Sequence, residues 1–351
     1  MADVTLLAAF GDPNWFRDAF NWDLNRIFQW LETTSQTAKD PVSQKYLQDT
    51  LSKIKIVALP DGKRFRDPRV GPNSHFARTF NEDWSDDRWD GHENERGRQI
   101  SKFILNEWPN KFRRRRDGDA GIQVPYWNPY DLLGYFFNVL GPAPPAANKS
   151  NYFLPLTAVY ARWCSKIAGT APRGYNYPPV ANPGAGTWPF MYQCTWWDDP
   201  GNPTKKWFFL GSSLGGDSWM ENAVGTFNET VQRHRFDMFR TCSQIKIVKA
   251  GDYAQRTPEQ RAGGHPNPYG ACAEGYPFAE MLSSDKLKNR HLYGLSLKRD
   301  FMRNPALNQY DRTRNGGVWT NNAAPCRNCT VLLKRAGAQL EHFSETMDLP
   351  L

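Results

Sequence analysis

Two short stretches near the C-terminal end combine sulfur and carboxylate groups at intervals suited to metal chemistry. They are Cys272-Ala273-Glu274 and Pro325-Cys326-Arg327-Asn328-Cys329. Each falls where the pattern predicts the start of a helix, which offers free amides and a positive dipole end that stabilise a thiolate. Two cysteines three apart can reach one ion from a first helical turn, and a third can arrive from a neighbouring helix. Three thiolates on a tetrahedral zinc leave one position open, the arrangement of a catalytic rather than a closed structural site. Zinc lowers the pKa of a water held there, making hydroxide available near neutral pH. Glu274 is then placed to take that water's proton and hand it to a leaving nitrogen, cycling between charged and neutral forms. A structural zinc with Glu274 as a bystander, and reduced cysteines with no metal, stand as the bland alternatives.

The elements that must position these residues follow from hydrophobic spacing. Before the cysteines, Ser218-Trp219-Met220-Glu221 reads as a capping box. Behind it Trp219, Ala223, Phe227 and Val231 step by four, predicting a helix over 219–240. A half-buried strand is expected over 243–249, and the HPNPYG run at 265–270 breaks the chain. Helical character over 272–283, a strand over 291–298, a loop over 303–323 and a helix over 326–336 complete the order. Helix, strand, helix, strand, helix describes an α/β layered sheet. Further upstream, apolar stripes predict helices over 21–34, 43–58 and 96–108, read as core packing. From 118 to 216 Tyr, Trp, Asn and Pro dominate, predicting ordered loops with short helices or strands wrapped on a core. The GSSLGG run at 211–216 lacks the Lys-Ser/Thr of a phosphate loop and reads as a connection. Three regions result: a helical 1–120, an aromatic and Pro-rich 121–216, and an α/β unit at 217–351.

Composition bounds the answer. The chain has 351 residues, 40% apolar and 23% charged, enough for a real core, which excludes wholesale disorder. No run of about 18 apolar residues predicts a membrane span. The N-terminus lacks the basic start and long apolar stretch of a secretion signal. Six cysteines in a chain this long and without such a signal are not a disulfide scaffold. Cys164, Cys194 and Cys242 stand alone as ordinary thiols, and the expected setting is a reducing one, cytoplasmic or nuclear. The net charge is +8, and residues 217–351 carry 18 Lys+Arg against 14 Asp+Glu, so the excess is shared evenly between the two parts. Only Arg113-Arg114-Arg115-Arg116, after Phe112, forms a dense cationic run able to contact phosphates. A cationic helix end explains that run as well.

At its two cysteine stretches the chain resembles the zinc-dependent cytidine deaminase-like superfamily. The signature there is His/Cys-x-Glu followed by Pro-Cys-x-x-Cys. The resemblance covers at most residues 217–351. It implies that Cys272, Cys326 and Cys329 are zinc ligands, that Glu274 shuttles protons, and that an α-β-α sandwich places the site at two helix starts. It also implies substrate contacts near His265, Asn267 and Tyr269, with ammonia leaving past the carbonyls around Ala324 and Pro325. Arg327, between the thiolates, would offset their charge or else be a solvated helix-start arginine. Two features depart from the pattern: the long interval from Cys272 to Cys326, and the short chain after 340.

The expected activity is therefore zinc-dependent hydrolytic deamination of a nucleobase amine, cytosine-type favoured, on a free nucleoside or a base in RNA or DNA, with RNA favoured. A second expectation keeps the fold and changes the reaction to tRNA-dependent biosynthesis, such as aminoacyl-tRNA-dependent cyclodipeptide synthesis. A third is a binding protein with a structural zinc and a recognition surface built from 120–210. Neither the charge nor the spacing speaks to oligomeric state.

Overall fold

The computed structural model describes residues 5–58, 102–104, 123–125, 129–172, 174–175, 186–198, 200–201, 203–214, 235, 269–283, 285–303 and 318–344. The chain begins with three helices, α1 (Trp15–Ala19), α2 (Leu24–Thr37) and α3 (Pro41–Ala58). Asp23 and Asp40 start the second and third by accepting hydrogen bonds from the Arg26 and Ser43 amides, at 2.7 and 2.9 Å. The stripes read from the sequence are the buried ones: Ile27, Phe28 and Leu31 on α2, and Leu47, Leu51 and Ile54 on α3. The helix expected over 96–108 is corrected. Within it Lys102–Ile104 is a strand, β1, paired antiparallel with β2 (Gln123–Pro125) and with Phe103 opposite Val124. An apolar pair in so short a window fits either period, and strand pairing decides between them.

The segment expected as loops with short elements also needs correction. It supplies α4 (Pro129–Val139), a π-helical turn at Lys149–Phe153, and the fifteen-residue α5 (Leu154–Ala168). Short parallel strands β3 (Gly169–Thr170) and β4 (Gly186–Thr187) follow, then the core strands β5 (Met191–Trp197) and β6 (Phe208–Ser212). The prolines do not prevent these helices because of where they fall. Pro129 is the first residue of α4 and Pro155 lies in the first turn of α5, where the missing amide costs no hydrogen bond. Nor is GSSLGG wholly a connection, since Gly211 and Ser212 close β6.

Further along come α6 (Gly275–Met281), α7 (Lys286–Asn289), β7 (Leu292–Lys298), a 3-10 turn at Val318–Asn321, β8 (Asn322–Ala323) and α8 (Arg327–Ala336). Thus β7 and α8 appear where the pattern placed them, whereas the end of the expected 303–323 loop is strand. The strand predicted over 243–249 lies outside the described residues. So does the helix predicted over 219–240, apart from Arg235, which is helical.

One four-stranded sheet, ordered β6-β5-β7-β8 and antiparallel at every pairing, draws two strands from the aromatic region 121–216 and two from 217–351. Two glycines show how it is covered. A Cβ on Gly134 of α4 would lie 2.0 Å from the Leu210 carbonyl oxygen, and one on Gly211 would lie 2.5 Å from that of Ala273. Successive strand residues face opposite ways, so α4 covers one face of β6 and the segment entering α6 covers the other. The result is an α/β arrangement of helices on a small antiparallel sheet. On the α4 and α5 face, Tyr192, Cys194, Trp196, Leu210, Leu295 and Leu297 form an apolar layer. Phe153 stacks on Trp196 at 4.2 Å and Tyr160 meets Tyr192 edge-on at 6.0 Å. Beyond α5 the layer continues into Trp15, Trp22, Trp30, Phe137 and Trp163, which join the N-terminal helices to the core. Among the described residues no helix is long and apolar enough to cross a membrane.

Candidate metal centre

The other face of the sheet is apolar toward one end, where Phe209 lies opposite Thr195 and Leu292 opposite Trp197, and small or polar beneath the cysteines. Register places Gly211, Gln193, Ser296 and Ala323 directly opposite one another across β6, β5, β7 and β8. Opposed residues of antiparallel strands share a face, so these four form one transverse row. Each has a structural use. Gly211 lets the backbone of Ala273 and the Pro277 ring lie against the sheet. Gln193 donates both amide protons, to the Cys194 carbonyl and the Thr195 hydroxyl at 3.0 Å each. That turns its oxygen toward Ser296, whose hydroxyl hydrogen-bonds to it and lies 3.4 Å from a Glu274 carboxyl oxygen. Ala323 ends β8 and leads through Ala324 and Pro325 into α8.

Above this row the two cysteine stretches meet. Cys272 and Ala273 occupy a bend before α6, and Glu274 is the N-cap of that helix rather than lying within it. Cys326 is the N-cap of α8 and Cys329 sits in its first turn. The Thr330 amide returns to the Cys326 carbonyl at 2.8 Å and its hydroxyl to the Pro325 carbonyl at 3.3 Å, which closes that turn. The sulfurs of Cys272, Cys326 and Cys329 all lie within 4.8 Å of one another, and those of Cys272 and Cys326 are 3.4 Å apart. Three soft donors this close can hold a metal ion.

The local electrostatics fit that use. Hydrogen bonds from the Cys272 and Cys329 thiols, and from the Asn328 and Cys329 amides, hold Cys326 far below the usual thiol range. The same contact with Cys326 pushes the Cys272 thiol up, and burial pushes Cys329 up. Cys326 is thus the sulfur readiest to act as a thiolate, and a bound cation would displace thiol protons. Glu274, 6% exposed, is raised to about 7, first by burial and then by the negative charge at Cys326. By contrast, Cys164 and Cys194 are fully buried and burial, the main cause for each, pushes both thiols well up, as expected of ordinary core cysteines.

The remaining expected site residues divide. Tyr269 is half-buried at the start of the bend and packs on the core. Ala324 is exposed, Pro325 half-buried and Arg327 exposed on α8. His265, Asn267 and Arg113 to Arg116 lie outside the described residues. Sequence reasoning missed four residues: Gln193, Ser296, Asp131 and Arg235. Arg235 ion-pairs with Asp131 and donates to carbonyls of the cysteine bend. A signal for it was present, because Arg235 continues the step of four through Trp219, Ala223, Phe227 and Val231. A charge at an apolar position of a helix marks a buried, partnered ion. Asp131, alone within the apolar run of α4, is the matching signal.

No protein-family model, curated protein or solved structure matches this chain.

Proposed function

We propose that the chain is a zinc-dependent hydrolase that removes an amine from a nucleobase, cytosine-type favoured, presented as a free nucleoside or within RNA or DNA. The observation that carries this reading is the convergence of Cys272, Cys326 and Cys329 beside the buried carboxyl of Glu274, at the starts of two helices on one face of a sheet. Three cysteine donors favour zinc among common ions and leave room for a fourth ligand. Zinc bound there supplies Lewis acidity that makes water nucleophilic near neutral pH. Glu274 does the proton work. Its carboxyl takes a proton from the attacking water and delivers it to the departing nitrogen, so a C–O bond forms, the C–N bond breaks and ammonia leaves. A pKa near 7 suits a group that must both accept and donate. Ser296, fixed by Gln193, orients that carboxyl.

The layered arrangement and the site at two helix starts favour an α-β-α sandwich of the cytidine deaminase-like type. Tyr269, together with His265 and Asn267, is proposed to line the approach of the base, and Ala324 and Pro325 the exit of ammonia.

Ammonia release from a panel of nucleosides and oligonucleotides, with zinc measured on the same samples, tests the proposal. Glu274→Gln is expected to keep the metal and lose about 10²–10⁴-fold in rate. A variant that retains both metal and full activity would overturn the mechanism and leave a structural zinc. Activity abolished by RNase in the absence of added RNA would move the reading to tRNA-dependent chemistry.

A further inference from the structure

We infer that Arg235, held by Asp131, is the positioning residue that sets the Cys272 bend at metal-binding distance from α8. The inference rests on the metal-binding reading above. Residues 269–274 have no helix or strand of their own, yet they must deliver Cys272 to two sulfurs carried by a different element. Among the described residues, backbone hydrogen bonds to the bend run from the Leu214 amide to the Ala271 carbonyl and from the Gly275 amide to the Cys272 carbonyl, both at 3.1 Å, and from the Phe278 amide to the Glu274 carbonyl at 2.8 Å.

The guanidinium of Arg235 gathers the rest. One terminal nitrogen donates to the carbonyls of Gly270 and Cys272, at 3.2 and 3.5 Å. The other donates to the Ser212 carbonyl at 3.1 Å and pairs with Asp131. Asp131 also accepts from the Ser212 amide at 3.5 Å. Ser212 ends β6, the outer strand of the described sheet, and Asp131 belongs to α4 on the apolar face. The pair therefore reaches past the end of β6 and connects the apolar face to the cysteine bend. The Arg235 side chain also lies against Gly275 and over the Tyr276 ring, 5.4 Å from its centroid, which seats the first turn of α6.

Both partners are essentially inaccessible to water, at 1% and 0% side-chain exposure. A buried ion pair is a poor source of net stability because desolvation offsets the attraction, so its presence here points to a positional use. Only the planar fork of arginine can serve a carboxylate and three carbonyls together; a lysine at 235 keeps the charge but not the geometry.

Titration of the metal-free protein with cadmium, followed by sulfur-to-metal absorption, tests this without reference to activity. Arg235→Lys is expected to unfold cooperatively like the wild type while binding cadmium about 10–100-fold more weakly. In a Cys272→Ser background the same change is expected to cause no further loss, because the bend no longer carries a ligand. An equal loss in both backgrounds, or no loss in either, would overturn the inference. Where Arg235→Lys yields no folded protein, Asp131→Asn carries the same cycle with the same outcomes. A wild-type protein that shows no thiolate band overturns the metal reading and this inference with it. A normal wild-type band with an indifferent Arg235→Lys overturns this inference alone.

Discussion

The two faces of the four-stranded sheet are made by the same strands and follow opposite rules. Toward α4 and α5 large apolar or aromatic groups dominate: Tyr192, Trp196, Leu210, Leu295 and Leu297 are at most 3% exposed. Toward the cysteines the row Gly211, Gln193, Ser296 and Ala323 carries no large apolar side chain. The first face takes its stability from apolar area removed from water. The second gives up that area to leave space for the bend at 269–274 and to offer hydrogen bonds to a carboxyl. A row of the sheet that does not maximise apolar contact is one where placement matters more than burial.

The contrast can be broken most forcefully on the apolar side. Trp196→Ala removes the ring stacked on Phe153 and is expected to cost about 3–5 kcal/mol in urea unfolding, with cadmium stoichiometry of the folded fraction unchanged. Next come two glycines of similar crowding. Gly134→Ala and Gly211→Ala each force a Cβ onto backbone and are expected to cost about 1–3 kcal/mol. Only Gly211→Ala, which pushes on Ala273, should also weaken cadmium binding. Equal effects of the two on metal would erase the distinction between the faces. Smaller again, Ser296→Ala strands the buried Gln193 oxygen and is expected to cost about 1–2 kcal/mol, with a shifted pH profile of ammonia release.

A separate expected effect is on pH dependence. Burial raises the Glu274 carboxyl from the ordinary 4.5 to about 7 in the folded, metal-free protein. Between those values the folded chain holds a proton that the unfolded chain has released. Stability from this group is thus full below pH 4.5 and is lost as pH rises through about 7. The lowered Cys326 thiol acts in the opposite sense over the same window, so the check is the difference in urea unfolding between the metal-free wild type and Glu274→Gln, in which the wild type should lose ground as pH rises from 4.5 to about 7.

Much of this is legible in the sequence. The cysteine stretches, the helix that begins at Cys326, the strand ending at Lys298 and the stripes of α2 and α3 are local patterns, set by spacing within a few residues. The aromatic region misleads because dense prolines ordinarily break helices. Pro129 and Pro155 instead sit in first turns, where the ring favours a helix. The isolated β1 misled because Phe103 and Ile104 satisfy two periods at once.

Residue type and spacing by themselves determined which atoms could bind a metal, three sulfurs with a carboxylate two residues from one of them. Tertiary structure alone decided that those sulfurs lie within 4.8 Å and that Glu274 is buried against Ser296. It alone also brought Arg235 and Asp131, 104 residues apart, together beneath the bend. The reason is range. Periodicity reports which face of an element is apolar, whereas strand register and the crossing of β6 by a buried ion pair depend on partners far away in the chain. No local pattern names those partners.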